Sequence, residues 1–184
     1  MENLESLAGK ILNDTFDKAR VINYSEEVIF RALIEANKRV KSYFAISPQA
    51  SFSQFVNPHN KQNWHIYKSF SVDFLIWDTI DCIPLLVVEY HGKGHYGDNE
   101  NKKKEVDLND LIKATILAKA NIRLEIVKDE EVSLKTTMEK NKKKGALWYK
   151  FCDIFEELQK ELLQIRQKYK ETEERNRAKN KKTK

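Results

Sequence analysis

Ser71-Val72-Asp73-Phe74-Leu75-Ile76-Trp77, then Asp78-Thr79-Ile80-Asp81-Cys82, then Ile83-Pro84-Leu85-Leu86-Val87-Val88-Glu89-Tyr90 decide the fold of this 184-residue chain. The outer runs are β-branched and aromatic, and the polar five between them read as a turn. That pattern predicts a β-hairpin. Both runs are apolar at consecutive positions, so both faces of the hairpin are expected to be covered.

Two carboxylates interrupt this apolar stretch. Asp73 and Glu89 are equidistant from residue 81. In a regular hairpin centred there they face each other, with Cβ atoms roughly 4.5–5.5 Å apart. Two such charges repel by roughly 3 kcal/mol at an effective dielectric near 20. A shared proton or a divalent cation would offset this. Paired carboxylate oxygens suit Mg²⁺ or Mn²⁺, which keep waters and bind substrate phosphates. His91 lies two residues after Glu89 and so shares its face.

Working outward, a Gly-rich loop follows (His91-Gly92-Lys93-Gly94-His95-Tyr96-Gly97). A helix over about 104–120 and an apolar strand, Ile122 to Val127, come next. Strand, helix, strand of this length predicts a parallel crossover. Upstream, Asn23 or Ser25 caps a helix over roughly 25–40, with Val28, Ile29, Ala32, Leu33 and Ala36 on its apolar face. Tyr43 to Ser47 reads as a strand stopped by Pro48, and 57–68 as a loop. Apolar residues from Leu4 to Phe16 predict an N-terminal helix. The chain thus divides into an N-terminal helix (1–23), a core domain (24–127), a basic linker (128–145) and a long helix with a basic tail (146–184). Trp148, Phe151, Phe155, Leu158, Leu162, Ile165 and Tyr169 are spaced alternately three and four apart. That seam fits either docking on the core or a homodimer through 146–170.

Composition limits the function classes. Hydrophobic residues make up 41%, enough for a packed core, and the longest apolar run has six residues, so no membrane span is expected. Cys82 and Cys152 form no disulfide or metal-ligand framework, which suggests a cytoplasmic protein. Residues 1–127 carry 16 Lys and Arg against 17 Asp and Glu, whereas residues 128–184 carry 17 against 11. The last ten residues hold six bases and no acid. A near-neutral body with a basic extension suggests a polyanion partner, most simply DNA. Lys142, Lys143, Lys144, Arg175 and Arg177 are its candidate contacts, and the 59–68 stretch (His59, Lys61, Trp64, His65, Tyr67, Lys68) offers a stacking surface for bases.

Asp73, fifteen intervening residues, then Glu89-Tyr90-His91 resembles the motif of PD-(D/E)XK restriction-endonuclease-like nucleases. A subgroup long labelled a domain of unknown function is closer still. Its helical Glu-x-x-Phe-x-x-x-Leu start resembles Glu27-Val28-Ile29-Phe30-Arg31-Ala32-Leu33, with a one-residue shorter spacing. Its Val-Asp-Phe is Val72-Asp73-Phe74. Its Glu-x-Asp-x-x-x-His resembles Glu89-Tyr90-His91-Gly92-Lys93-Gly94-His95, and its Asp-x-x-Lys is Asp110-Leu111-Ile112-Lys113. The likeness covers about residues 24–127. It implies an α/β fold with a mixed sheet flanked by helices, and a metal-dependent DNA endonuclease that nicks or cuts both strands.

By this resemblance Asp73 and Glu89 would hold the metal, and Glu27 would be the helical acid, with Glu26 as its competitor. The superfamily's lysine after Glu-x is His91 here, and the often basic residue two before the Asp is Ser71. His91 could ligate, orient water or act as a base. Lys93 or Lys113 could supply the missing cation, and His95 a phosphate contact. Otherwise Asp110 and Lys113, three apart on a helix, default to a surface salt bridge with each other. The four histidines fit no zinc ligand set. The alternative to a nuclease is the same fold without turnover, serving as a DNA-binding or oligomerisation module.

Overall fold

A computed structural model of the chain describes residues 21–59, 62, 64–93, 95, 100–132 and 145–182. The helix expected over 4–20 and the bases Lys142, Lys143 and Lys144 lie outside the described residues. Helix α1 (Tyr24–Val40) opens on Asn23, whose side chain accepts from the Glu26 N–H while the Glu26 carboxylate takes the Asn23 N–H. This reciprocal cap settles the start of the helix. Lys41 closes it in the left-handed conformation, φ 58°.

Strand β1 (Phe44–Ser51) runs straight through Pro48 rather than stopping there. It is the edge strand of a four-stranded sheet of order β1-β2-β3-β4. An edge tolerates a residue with no N–H to donate. A short helix, α2 (Phe52–Phe55), follows β1, and a second, α3 (Trp64–Tyr67), interrupts the segment read as loop. The hairpin is as expected: β2 (Ser71–Asp78) and β3 (Ile83–His91) are antiparallel. Helix α4 (Glu100–Lys119), which begins four residues earlier than the sequence suggests, crosses over to β4 (Arg123–Lys128), parallel to β3.

The expected linker begins later than residue 128. Lys128 ends β4, and Asp129–Val132 form a helical turn, α5, whose Val132 is buried. Helix α6 (Ala146–Lys182) then runs the length predicted and seven residues further.

Alternation along β2 and β3 sends side chains into two cores. On one face Phe74, Ile76, Leu86 and Val88 meet Ile29 and Leu33 of α1 and Phe151, Phe155, Leu158 and Leu162 of α6. On the other, Leu75 and Val87 meet Leu117 of α4 and Ile122. The first half of the α6 seam is therefore spent within the molecule. Leu163, Ile165 and Tyr169 remain exposed, so a homodimer seam through all of 146–170 is not available. Among the described residues no helix is long and apolar enough to cross a membrane.

Candidate functional site

The hairpin carries an irregularity between Ile76 and Trp77, on the turn side. Beyond it the register runs regularly through Leu75 opposite Val87 to Phe74 opposite Val88. One further step sets Asp73 against Glu89, on the face that α4 covers. The ladder is not continued by backbone at that step. Instead the Tyr90 N–H donates to Asp73 Oδ2 at 2.7 Å. Asp73 thereby ties the ends of the two strands together.

Glu89 is 8% exposed. Its Oε1 accepts from Lys113 Nζ of α4 at 2.9 Å. Burial is the main reason its carboxyl is pushed up to about 7; Lys113 opposes the shift and Asp73 adds to it. One turn before Lys113 on α4, Asp110 Oδ2 receives His95 Nε2 at 2.8 Å and lies 3.7 Å from His91 Nε2. The His91 and His95 rings stack, centroids 3.8 Å apart and 17° from parallel. Burial, and then the neighbouring His95, lower the His91 pKa, which favours the neutral ring. Gly92 lets the chain leave β3 here, since a Cβ at that position would come within 2.8 Å of the Tyr90 ring.

Five of the residues singled out from sequence thus meet on one face: Asp73, Glu89, His91, His95 and Lys113. The expected Asp110–Lys113 pair does not form among these contacts. Each residue instead reaches back to β3 and the loop after it. Asp110 is the member that sequence reasoning placed wrongly, because its partners arrive through the docking of α4 and not through helix spacing.

The remaining candidates lie apart from these contacts. Glu27 sits on α1, which packs on the opposite face, and its Oε1 accepts from Arg31 at 2.6 Å. Glu26 is committed to the Asn23 cap. Lys93 is largely exposed, 3.6 Å from Asp129 Oδ2. Arg175 and Arg177 fall on the helical backbone near the end of α6. In the region proposed for base stacking, Trp64 is partly exposed and His65 Nδ1 lies 3.0 Å from the Gln62 carbonyl.

Two facing carboxylates make a hard oxygen donor set of the kind Mg²⁺ uses alongside water and phosphate. Tyr90 and Lys113 each engage one oxygen of their partner, leaving the second oxygen of each carboxylate outside those bonds. The residues present therefore fit such an ion.

Compared with known proteins, the chain is 28% identical over 107 residues to an uncharacterized protein of Haemophilus influenzae. The match spans 58% of this chain and 56% of that relative. No solved structure matches. A family model matches residues 18–142, which hold every member of the cluster, and the chain belongs to that family, DUF2726, a protein family of unknown function.

Proposed function

We propose that the protein is a divalent-metal-dependent DNA phosphodiesterase of the restriction-endonuclease-like kind. The observation that carries this is the convergence of Asp73, Glu89 and Lys113, from two strands and the crossover helix, on one face of a mixed sheet. A mixed sheet flanked by helices, the coarse architecture the motif implies, supports this reading.

Asp73 and Glu89 would hold a divalent cation, which when bound would neutralise charge at a phosphate and make its water more acidic. The chain's own residues do the rest. Asp73, fixed by the Tyr90 N–H, keeps one carboxylate oxygen directed by the strand ends. Lys113 stands where it can shift from Glu89 to a phosphate oxygen or orient the attacking water. This is the role that the superfamily gives to the lysine after Glu-x. His91, neutral, has a ring nitrogen able to accept. The basic α6 end supplies attraction for the DNA backbone.

The test is supercoiled plasmid with Mg²⁺ or Mn²⁺, followed for relaxed and linear products. Cleavage is expected to vanish with chelator and in Asp73→Ala and Glu89→Ala. It should fall about 10²–10⁴-fold in Lys113→Ala, the range typical of a positioned proton-transfer group. Full activity in either carboxylate variant overturns the reading. DNA binding without cleavage under either metal selects the non-catalytic module instead.

A further inference from the structure

His91, His95 and Asp110 present one ligand atom each, all within 4.8 Å of one another. We infer that these three side chains form a binding site for a transition-metal dication of the zinc class, adjoining the Asp73–Glu89 pair. In a tetrahedral site with metal–nitrogen bonds near 2.0–2.1 Å, ligand atoms stand about 3.3 Å apart. The two observed separations to Asp110 Oδ2, 2.8 and 3.7 Å, bracket that value. Binding would part the stacked rings, because two imidazoles on one tetrahedral ion have centroids about 5 Å apart, against 3.8 Å here.

The donor chemistry narrows the class. Two imidazoles and one carboxylate suit zinc, cobalt, nickel or iron better than magnesium, which prefers oxygen alone. Three protein ligands leave a coordination position open, as in catalytic zinc sites. The side chains are 12%, 21% and 26% exposed, so the pocket is sheltered yet reachable. Both Nε2 atoms already lie near Asp110 Oδ2, at 2.8 Å and 3.7 Å. Sequence spacing hid the set because its third ligand lies on α4 and not in the histidine loop.

This site is a second one beside the Asp73–Glu89 pair of the proposed phosphodiesterase, and metal capture here is measured independently of cleavage. The experiment titrates the full-length, chelator-treated chain with Co²⁺. The expected result is one equivalent bound with visible d–d absorption, displaced by Zn²⁺. His95→Ala and Asp110→Asn are each expected to weaken binding at least about 100-fold. His95→Gln serves as a second variant, and a melting curve for each verifies that it folds. His59→Ala with His65→Ala should leave the absorption unchanged. Undiminished binding in folded His95→Gln and Asp110→Asn overturns the site, as does no saturable Co²⁺ binding by the wild type. If that happens while Mg²⁺ still supports cleavage, this site fails and the phosphodiesterase reading stands. Co²⁺ capture with no cleavage under any metal supports the site and removes that reading.

Discussion

Glu89 is faced by Asp73 from β2 and by Asp110 and Lys113 from α4, and burial outweighs them all in setting its carboxyl near 7. The consequence for stability has a definite sign. The folded value lies above the ordinary 4.5, so the protonated form is the one that the fold favours. Stability from this group is fully present below about pH 4.5 and is lost as pH rises through about 7. In chelator-treated protein, Glu89→Gln is therefore expected to melt roughly 5 °C higher than wild type at pH 8. Near pH 4.5 the two should coincide. A variant that melts lower at pH 8 would show that the Lys113 ion pair outweighs burial. Asp73 and Glu89 were legible in the sequence because carboxylates inside apolar strands are costly, and because their symmetry about residue 81 survives the irregularity near the turn. The role of Asp110 was not legible: it depends on where a 20-residue helix comes to rest on the sheet.

At the scale of elements, hydrophobic spacing identified the hairpin, the crossover and the long helix. It erred where a residue's effect depends on neighbours. Pro48 reads as a stop, yet on the sheet edge its missing donor costs no ladder bond. The α6 seam reads equally as docking or dimerisation, and the structure divides it. Phe151 and Phe155 are fully buried, and Phe155 meets Phe44 edge-on at 5.5 Å. Past Leu162 the same spacing continues into solvent. Lower down the helix, Arg166 grips the hairpin turn through Asp78 at 2.6 Å and Asp81 at 2.7 Å. So α6 is a structural part of the body at least as far as residue 166. Phe155→Ala should cost about 3–5 kcal/mol, or roughly 10 °C in melting temperature. Combined replacement of Leu163 and Tyr169 by Ala should leave the melting temperature within a degree or two. Equal losses in the two variants, measured by thermal melts at several protein concentrations, would mean that the exposed end is also packed, against another copy.

Across the whole molecule, charge and chemistry are separated. The cluster lies within residues 18–142, the part shared with the family, and the body it belongs to is near neutral. The excess of bases follows it, and the backbone of α6 runs on for about 30 Å beyond Leu162, the last of its residues described as buried. A helix of that reach can follow a DNA backbone while the body holds one phosphate at the cluster. Binding by phosphate neutralisation releases counterions, so the logarithm of affinity falls with the logarithm of salt at about 0.9 per contacted phosphate. Deleting residues 175–184 removes six bases and no acids. Affinity for duplex DNA at low salt should drop, and the salt slope should flatten by between about 2 and 5, according to how many of the six meet phosphate at once. The same loss is expected for any duplex sequence, because phosphate contacts do not read bases. Cleavage at saturating DNA should persist, since no cluster residue is removed. Fluorescence anisotropy across a salt series measures the first effect and plasmid cleavage the second. An unchanged slope would separate the tail from DNA and leave the body as the whole of the interface. Loss of cleavage at saturation, with the melting temperature intact, would instead mean that the tail helps to place the phosphate at the cluster.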